Sequence, residues 1–191
     1  MNFLGHAYFS PSDDDKIIAG NIFGDFVKGN IDGKDFPEGV KNGLRYHRLL
    51  DMYCNNINGF IEIKRLVGKK YRPYQGIIAD IFIDHLLAIN WQCFSDVTLE
   101  SFSLLTCQKL ESCSKYFPER FSAIFEFMKR DNWFVKYKNI STLKEMLKRL
   151  ERKSGHGIIL NHAVNDFNAD YKTYGKYFFQ FMSEMKVITN L

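Results

Sequence analysis

Residues 73–91, PYQGIIADIFIDHLLAINW, are apolar on nearly every side of a helix built on Ile77, Ile78, Ile81, Phe82, Ile83, Leu86 and Leu87. A helix that is hydrophobic all round has no solvent face to offer, so it must lie inside a bundle. It does not read as a membrane span. Uninterrupted apolar stretches such as Ile81-Phe82-Ile83 are a few residues long, whereas a span needs about 20. Three ionisable residues, Asp80, Asp84 and His85, also sit within it.

Helical patterns recur around this segment. Ser12 followed by Asp15 resembles a capping box, and Ile18, Ile22 and Phe26, with Ala19 and Phe23, make a stripe that predicts a helix over 13–28. Gly20 and Gly24, one turn apart in that helix, cost propensity but let another backbone come close. A loop at 30–36 leads to Pro37, after which Val40, Leu44, His47, Asp51 and Cys54 recur at helical spacing. Asn58 is placed to cap a helix over 58–67 that Gly68 ends. Further helices are expected near 98–117, 119–130, 142–153 and 160–188, with breaks at Pro118 and Asp131-Asn132 and Gly155 as a C-cap. No run alternates cleanly enough for a strand, and 191 residues are close to one ~150-residue domain. The expected fold is all-α, a single domain over 1–191 made of seven or eight helices.

The opening MNFLGHAYFSPSDDDK has no early basic region or apolar run of signal-peptide type, so a cytoplasmic location is expected. Cys54, Cys93, Cys107 and Cys113 show no CxxC spacing and read as reduced packing residues. The net charge of +4 is too small for a nucleic-acid footprint. It is concentrated at Lys64, Arg65, Lys69, Lys70 and Arg72, and again at Lys144, Lys148, Arg149, Arg152 and Lys153. These clusters are either solvated helix ends or docking points for an anionic partner.

Burying a carboxylate costs several kcal/mol unless a partner or a cation offsets it. Asp80 and Asp84 lie one turn apart with His85 beside them, and they would repel unless a proton or metal lay between them. Matching groups occur upstream: His47 and Asp51 at i, i+4 in RYHRLLD, Asp25 in GNIFGDFVKG, and His6 in NFLGH. Such an oxygen-rich, cysteine-free set on facing helices suits Mn, Mg or Fe better than a structural zinc. The alternative is that His47 and His85 are satisfied core histidines and the Asp residues are caps or partners of Arg45 and Arg48. His162 and Asp166, also at i, i+4, read as a solvated boundary beside the stripe Ala163, Phe167, Tyr171, Tyr174 and Phe178.

The ordered segments MNFLGH, GNIFGDFVKG, YHRLLD and ADIFIDHLL with Trp91 resemble the signatures of the acyl carrier protein phosphodiesterase family, itself similar to the HD phosphohydrolases. The match is close over the first half of the chain, although Asn90 stands where a His is expected in the family and Gly5 where Ala is usual. The resemblance implies an HD-domain-like, metal-dependent hydrolase. Its reaction would be cleavage of the phosphodiester between 4′-phosphopantetheine and a serine of holo acyl carrier protein. Manganese is the implied metal, with Mg or Fe as alternatives, held by some of His6, Asp25, His47, Asp80, Asp84 and His85. Asp84 or Asp51 would then orient or deprotonate the water, and Arg48 and Lys28, with Arg152 and Lys153 behind them, would neutralise the phosphate. The acidic carrier would dock on the basic clusters; no nucleic acid or membrane is expected as a partner, and no oligomeric state is indicated. Two other functions fit the same residues: an HD-like phosphohydrolase of a small phosphorylated metabolite or nucleotide, and a non-catalytic helical module that binds an acidic protein.

Overall fold

Short helices and tight 3-10 turns, set by caps and breakers, organise this chain. In the computed structural model, residues 1–11, 13–154 and 159–190 are described, the side chains of Lys153 and Ser154 excepted. The α-helices are α1 (Phe3–Tyr8), α2 (Asp15–Phe23), α3 (Glu38–Asn56), α4 (Asn58–Val67), α5 (Gln75–Ile89), α6 (Leu99–Ser112), α7 (Glu119–Asp131), α8 (Trp133–Lys136), α9 (Ile140–Ser154), α10 (Ala163–Ala169) and α11 (Tyr171–Thr189). No strand occurs among the described residues, so the all-α expectation holds. None of the helices is long and apolar enough to cross a membrane.

Among the described residues eleven helices replace the expected seven or eight, because α1 and α8 are too short to show a period and the 160–188 segment is broken at Asp170. The α2 cap is Asp14, whose Oδ1 accepts from Lys16 N at 2.8 Å and Ile17 N at 3.3 Å. Ser12, the expected cap, and Gly155, the expected C-cap, lie outside the described residues. Helix α2 also ends at Phe23, and Gly24–Phe26 tightens into a 3-10 turn that sets the direction of Asp25. Asn58 does not cap α4. Glu184 of α11 does so instead, its Oε2 accepting from Gly59 N at 2.9 Å.

The chain packs as two units. One comprises Phe3–Met52 and Trp91–Lys136. In it α2 packs on α1 and α6, and α8 on α6 and α7. A ring cluster of Phe3, Phe23, Phe26, Phe117, Phe121 and Phe125 fills its interior. The α2 and α3 backbones touch at Gly20 and Gly43, where a methyl group on Gly20 would overlap Val40 O and one on Gly43 would overlap Ile17 O. The close approach expected at Gly20 is therefore real, and it brings the Asn21 and His47 faces together.

The second unit comprises Met1–Asn2, Tyr53–Asn90 and Tyr137–Leu191. Here α4 packs on α11 and α5, and α9 on α5. Every residue of α5 from Ile81 to Ala88 is buried, as its all-round apolarity requires, but Ile77 and Ile89 towards its two ends are exposed. Phe82 packs at a tilt against Phe167 with centroids 4.5 Å apart, a contact worth about 0.5–1.5 kcal/mol beyond its buried area. Of the 160–188 stripe, Ala163, Phe167, Tyr174 and Phe178 are buried, but Tyr171 is exposed. Cys54 and Cys113 are buried, whereas Cys93 is exposed and so does not pack as expected.

Candidate metal centre

Helix α1 carries His6, α2 carries Asn21, the 3-10 turn carries Asp25, and α3 carries His47 and Asp51. The imidazoles of His6 and His47 stack with centroids 4.1 Å apart and planes at 19°. Both are buried, at 1% and 3% exposure. Nδ1 of His6 lies 3.1 Å from Asn21 Oδ1, and Nδ1 of His47 lies 2.7 Å from the main-chain oxygen of Asn21. A carbonyl oxygen only accepts, so each Nδ1 is the protonated nitrogen and, in the neutral ring, Nε2 carries the lone pair.

Those two Nε2 atoms face one carboxylate. His6 Nε2 is 3.3 Å from Asp51 Oδ1 and His47 Nε2 is 3.3 Å from Asp51 Oδ2. Asp25 Oδ1 stands 3.6 Å from His47 Nε2 on the open side, with the Asp25 side chain 64% exposed. Donor atoms of His6, His47 and Asp51 all lie within 4.8 Å of one another, the one such cluster among the described residues. Ligands about 2.1 Å from one ion stand about 3 to 3.5 Å apart, and each imidazole Nε2 lies 3.3 Å from its Asp51 oxygen. His6 Nε2 is enclosed and makes no well-formed hydrogen bond among the described residues. An orphaned buried lone pair costs about 1–3 kcal/mol, and a cation would satisfy it. The residues fit a divalent metal.

The electrostatics agree. Burial lowers the His6 imidazole to about 4 against the raising effect of Asp51, so its ring is neutral at pH 7 and free to ligate. Burial works to raise the Asp51 carboxyl, but the imidazoles of His6 and His47 beside it outweigh that and hold it well below the usual range. The nearby His47 ring likewise holds the Asp25 carboxyl down. Gly24 completes the cradle, since a methyl group there would overlap the His47 ring.

The other sequence-derived residues have different surroundings. Arg48 Nη2 donates to Gly29 O at 2.7 Å and Val27 O at 3.3 Å, clamping the segment that carries the exposed Lys28. Lys28, Lys34, Lys115, Phe26, Phe36 and Phe117 line a cleft of about 330 Å³ that begins one residue after Asp25. Asp80 Oδ1 is ion-paired with the Met1 amine at 3.1 Å. Asp84 is fully buried, and the Asp84 charge adds to burial in raising the Tyr137 phenol. His85 Nδ1 donates to Tyr137 O at 2.7 Å while Phe167 packs edge-on against its ring. Asp166 accepts from Lys70 and Tyr71 at 2.8 and 2.5 Å.

Asn21 and the lysines at 34 and 115 are functional candidates that motif spacing passes over. For Asn21 the signal was a polar residue inside the apolar stripe of GNIFGD, three positions after Ile18.

Comparison with known proteins agrees with the motifs. The family model for acyl carrier protein phosphodiesterase matches residues 1–185. The chain is similar to acyl carrier protein phosphodiesterases of Photorhabdus laumondii at 29% identity, Shigella boydii serotype 4 at 26% and Escherichia coli O6:H1 at 25%. Each alignment covers 97% of this chain, and 93%, 95% and 95% of those relatives respectively. No solved structure matches it. A family match that leaves only the last six residues uncovered, with relatives aligned almost end to end, places the chain in the acyl carrier protein phosphodiesterase family, whose members are phosphoric diester hydrolases.

Proposed function

We propose that the chain is a cytosolic enzyme that hydrolyses the phosphodiester between 4′-phosphopantetheine and a serine of holo acyl carrier protein, with a divalent cation, manganese foremost, held by His6, His47 and Asp51. The observation that carries the metal reading is the pair of imidazoles whose Nδ1 atoms are both committed to Asn21 while both Nε2 atoms face Asp51. When bound, such an ion supplies a Lewis acid for a phosphoryl oxygen and an acidified water.

The protein's own groups do the rest. Asp25, ionised and exposed beside His47, is the base: its Oδ1 takes a proton from the attacking water. It takes the part that the sequence assigned to Asp84 or Asp51, because Asp84 is fully buried and Asp51 faces both imidazoles. Lys28, Lys34 and Lys115 attract the phosphodiester into the cleft, where Phe26, Phe36 and Phe117 cover the pantetheine arm. Arg48 holds the Lys28 segment in place. The acidic carrier docks on Lys64, Arg65, Lys69, Lys70 and Arg72, all exposed, and on exposed residues of α9 such as Lys148 and Arg152.

Intact-mass analysis of holo acyl carrier protein incubated with enzyme and Mn²⁺ tests this. The carrier loses the mass of the phosphopantetheine moiety with the native chain, and keeps it after chelation or with His47→Ala or Asp51→Ala. An unchanged carrier under conditions where small phosphate esters are cleaved would sink the substrate assignment, and full turnover after chelation would sink the metal.

A further inference from the structure

We propose that Asn21 is the positioning residue of the metal centre, fixing the tautomers of His6 and His47 so that both present an unprotonated Nε2 to one ion; this rests on the metal reading above. Asn21 is 0% exposed in the last turn of α2. Its Nδ2 donates to His6 O at 2.7 Å and to Ser10 Oγ at 3.0 Å, which uses both amide hydrogens. Ser10 Oγ in turn donates to His6 O at 3.1 Å, so its lone pairs are turned towards the amide. The amide orientation is thereby settled, and Oδ1 must be the atom 3.1 Å from His6 Nδ1. The main-chain oxygen of the same residue accepts from His47 Nδ1 at 2.7 Å. One residue therefore serves both rings, one through its side chain and one through its backbone.

The side-chain half decides between two states of His6. In the alternative tautomer, Nε2–H would donate to Asp51 Oδ1, now 3.3 Å away. That bond would be charge-assisted and hence stronger than a neutral one. It would also remove the lone pair a cation needs. Asn21 Oδ1 holds the proton on Nδ1 against that pull. His47 is held by a main-chain atom that no side-chain substitution deletes. Outer partners of this kind typically alter metal affinity about 10–100-fold when lost.

The test uses the full chain with ¹⁵N-labelled histidine, metal-free, read by long-range ¹H–¹⁵N correlation, followed by Mn²⁺ titration calorimetry. In the native chain both His6 and His47 show a protonated Nδ1 and a bare Nε2. Asn21→Leu, which keeps the branched outline of the side chain but has no acceptor, moves the His6 proton to Nε2, leaves His47 unchanged, and weakens Mn²⁺ binding about 10–100-fold. A native His6 carrying its proton on Nε2 overturns the proposal and needs no variant to fold. A folded Asn21→Leu with unaltered Mn²⁺ affinity overturns it too. Native rings in the stated tautomers and a His6-only switch in the variant, but no Mn²⁺ binding by the native chain, would support Asn21 as the tautomer-setting residue and refute the metal reading alone.

Discussion

A methyl group on Gly24 would overlap Cγ, Cδ2 and Nδ1 of His47, the part of the ring nearest its own backbone. The imidazole cannot swing away without leaving Asn21 O, so Gly24→Ala displaces a ligand by about an ångström. Misplacement on that scale costs about a hundredfold in rate. A steady-state assay on holo carrier should show that loss for Gly24→Ala. Gly175→Ala, with open space around it, should keep full activity and gain about 0.5–1 kcal/mol from helix propensity. Equal activity in both variants would mean that His47 tolerates the shift. His6, Asp25, His47 and Asp51 were legible as candidates because each interrupts an apolar pattern with a charged or ligating group. Their convergence was not legible, since it depends on where the Gly20–Gly43 contact sets α2 against α3. Asp80, Asp84 and His85 interrupt α5 in the same way, yet have a main-chain amine, a phenol and a main-chain carbonyl beside them. Spacing alone cannot tell these uses apart.

At the scale of elements, the α4 N-terminus is held by a residue 125 positions away along the chain, Glu184, whose other carboxylate oxygen accepts from Gln180 at 2.8 Å. A carboxylate at a helix N-terminus satisfies an orphan N–H and complements the dipole. Glu184→Ala should therefore lower stability by about 1 kcal/mol, the usual worth of a cap. Asn58→Ala, at an exposed position with no capping bond, should change it by less than about 0.5 kcal/mol. Urea denaturation midpoints of the two variants decide between the caps, and a larger loss for Asn58→Ala would contradict the assignment. The helix itself was readable from its period, and so was its end at Gly68, whose φ is +87°. The cap was not, because no local rule connects Glu184 to Gly59. The same limit hid the break at Asp170: the apolar stripe runs on through it, and only the exposed Tyr171 shows that the helix restarts.

Two whole-molecule properties follow from charge. Burial lowers the His85 imidazole below its ordinary 6.5, so folding is indifferent to this ring above pH 6.5. Below that value the unfolded chain takes up a proton that the native chain refuses, and stability falls as pH drops. Chemical denaturation from pH 8 to 5.5 should show the decline. His85→Asn, which keeps a donor for Tyr137 O but cannot titrate, should flatten it by up to one proton, and an unchanged slope would place the titrating group elsewhere. The net charge of +4 acts at longer range. Of the basic residues at 64–72, Lys70 pairs with Asp166 and Arg65 with Glu62, so Lys64, Lys69 and Arg72 carry most of the pull on an acidic carrier. Exposed charges are screened over about 8 Å at 0.15 M salt, whereas the buried centre around Asp51 is not. Raising salt from 0.05 to 0.3 M should therefore raise KM for holo acyl carrier protein with little change in kcat. Lys64→Glu with Lys69→Glu should raise KM at low salt and blunt its salt dependence. If kcat falls while KM holds, the electrostatic contribution belongs to the chemical step and the docking surface lies elsewhere on the molecule.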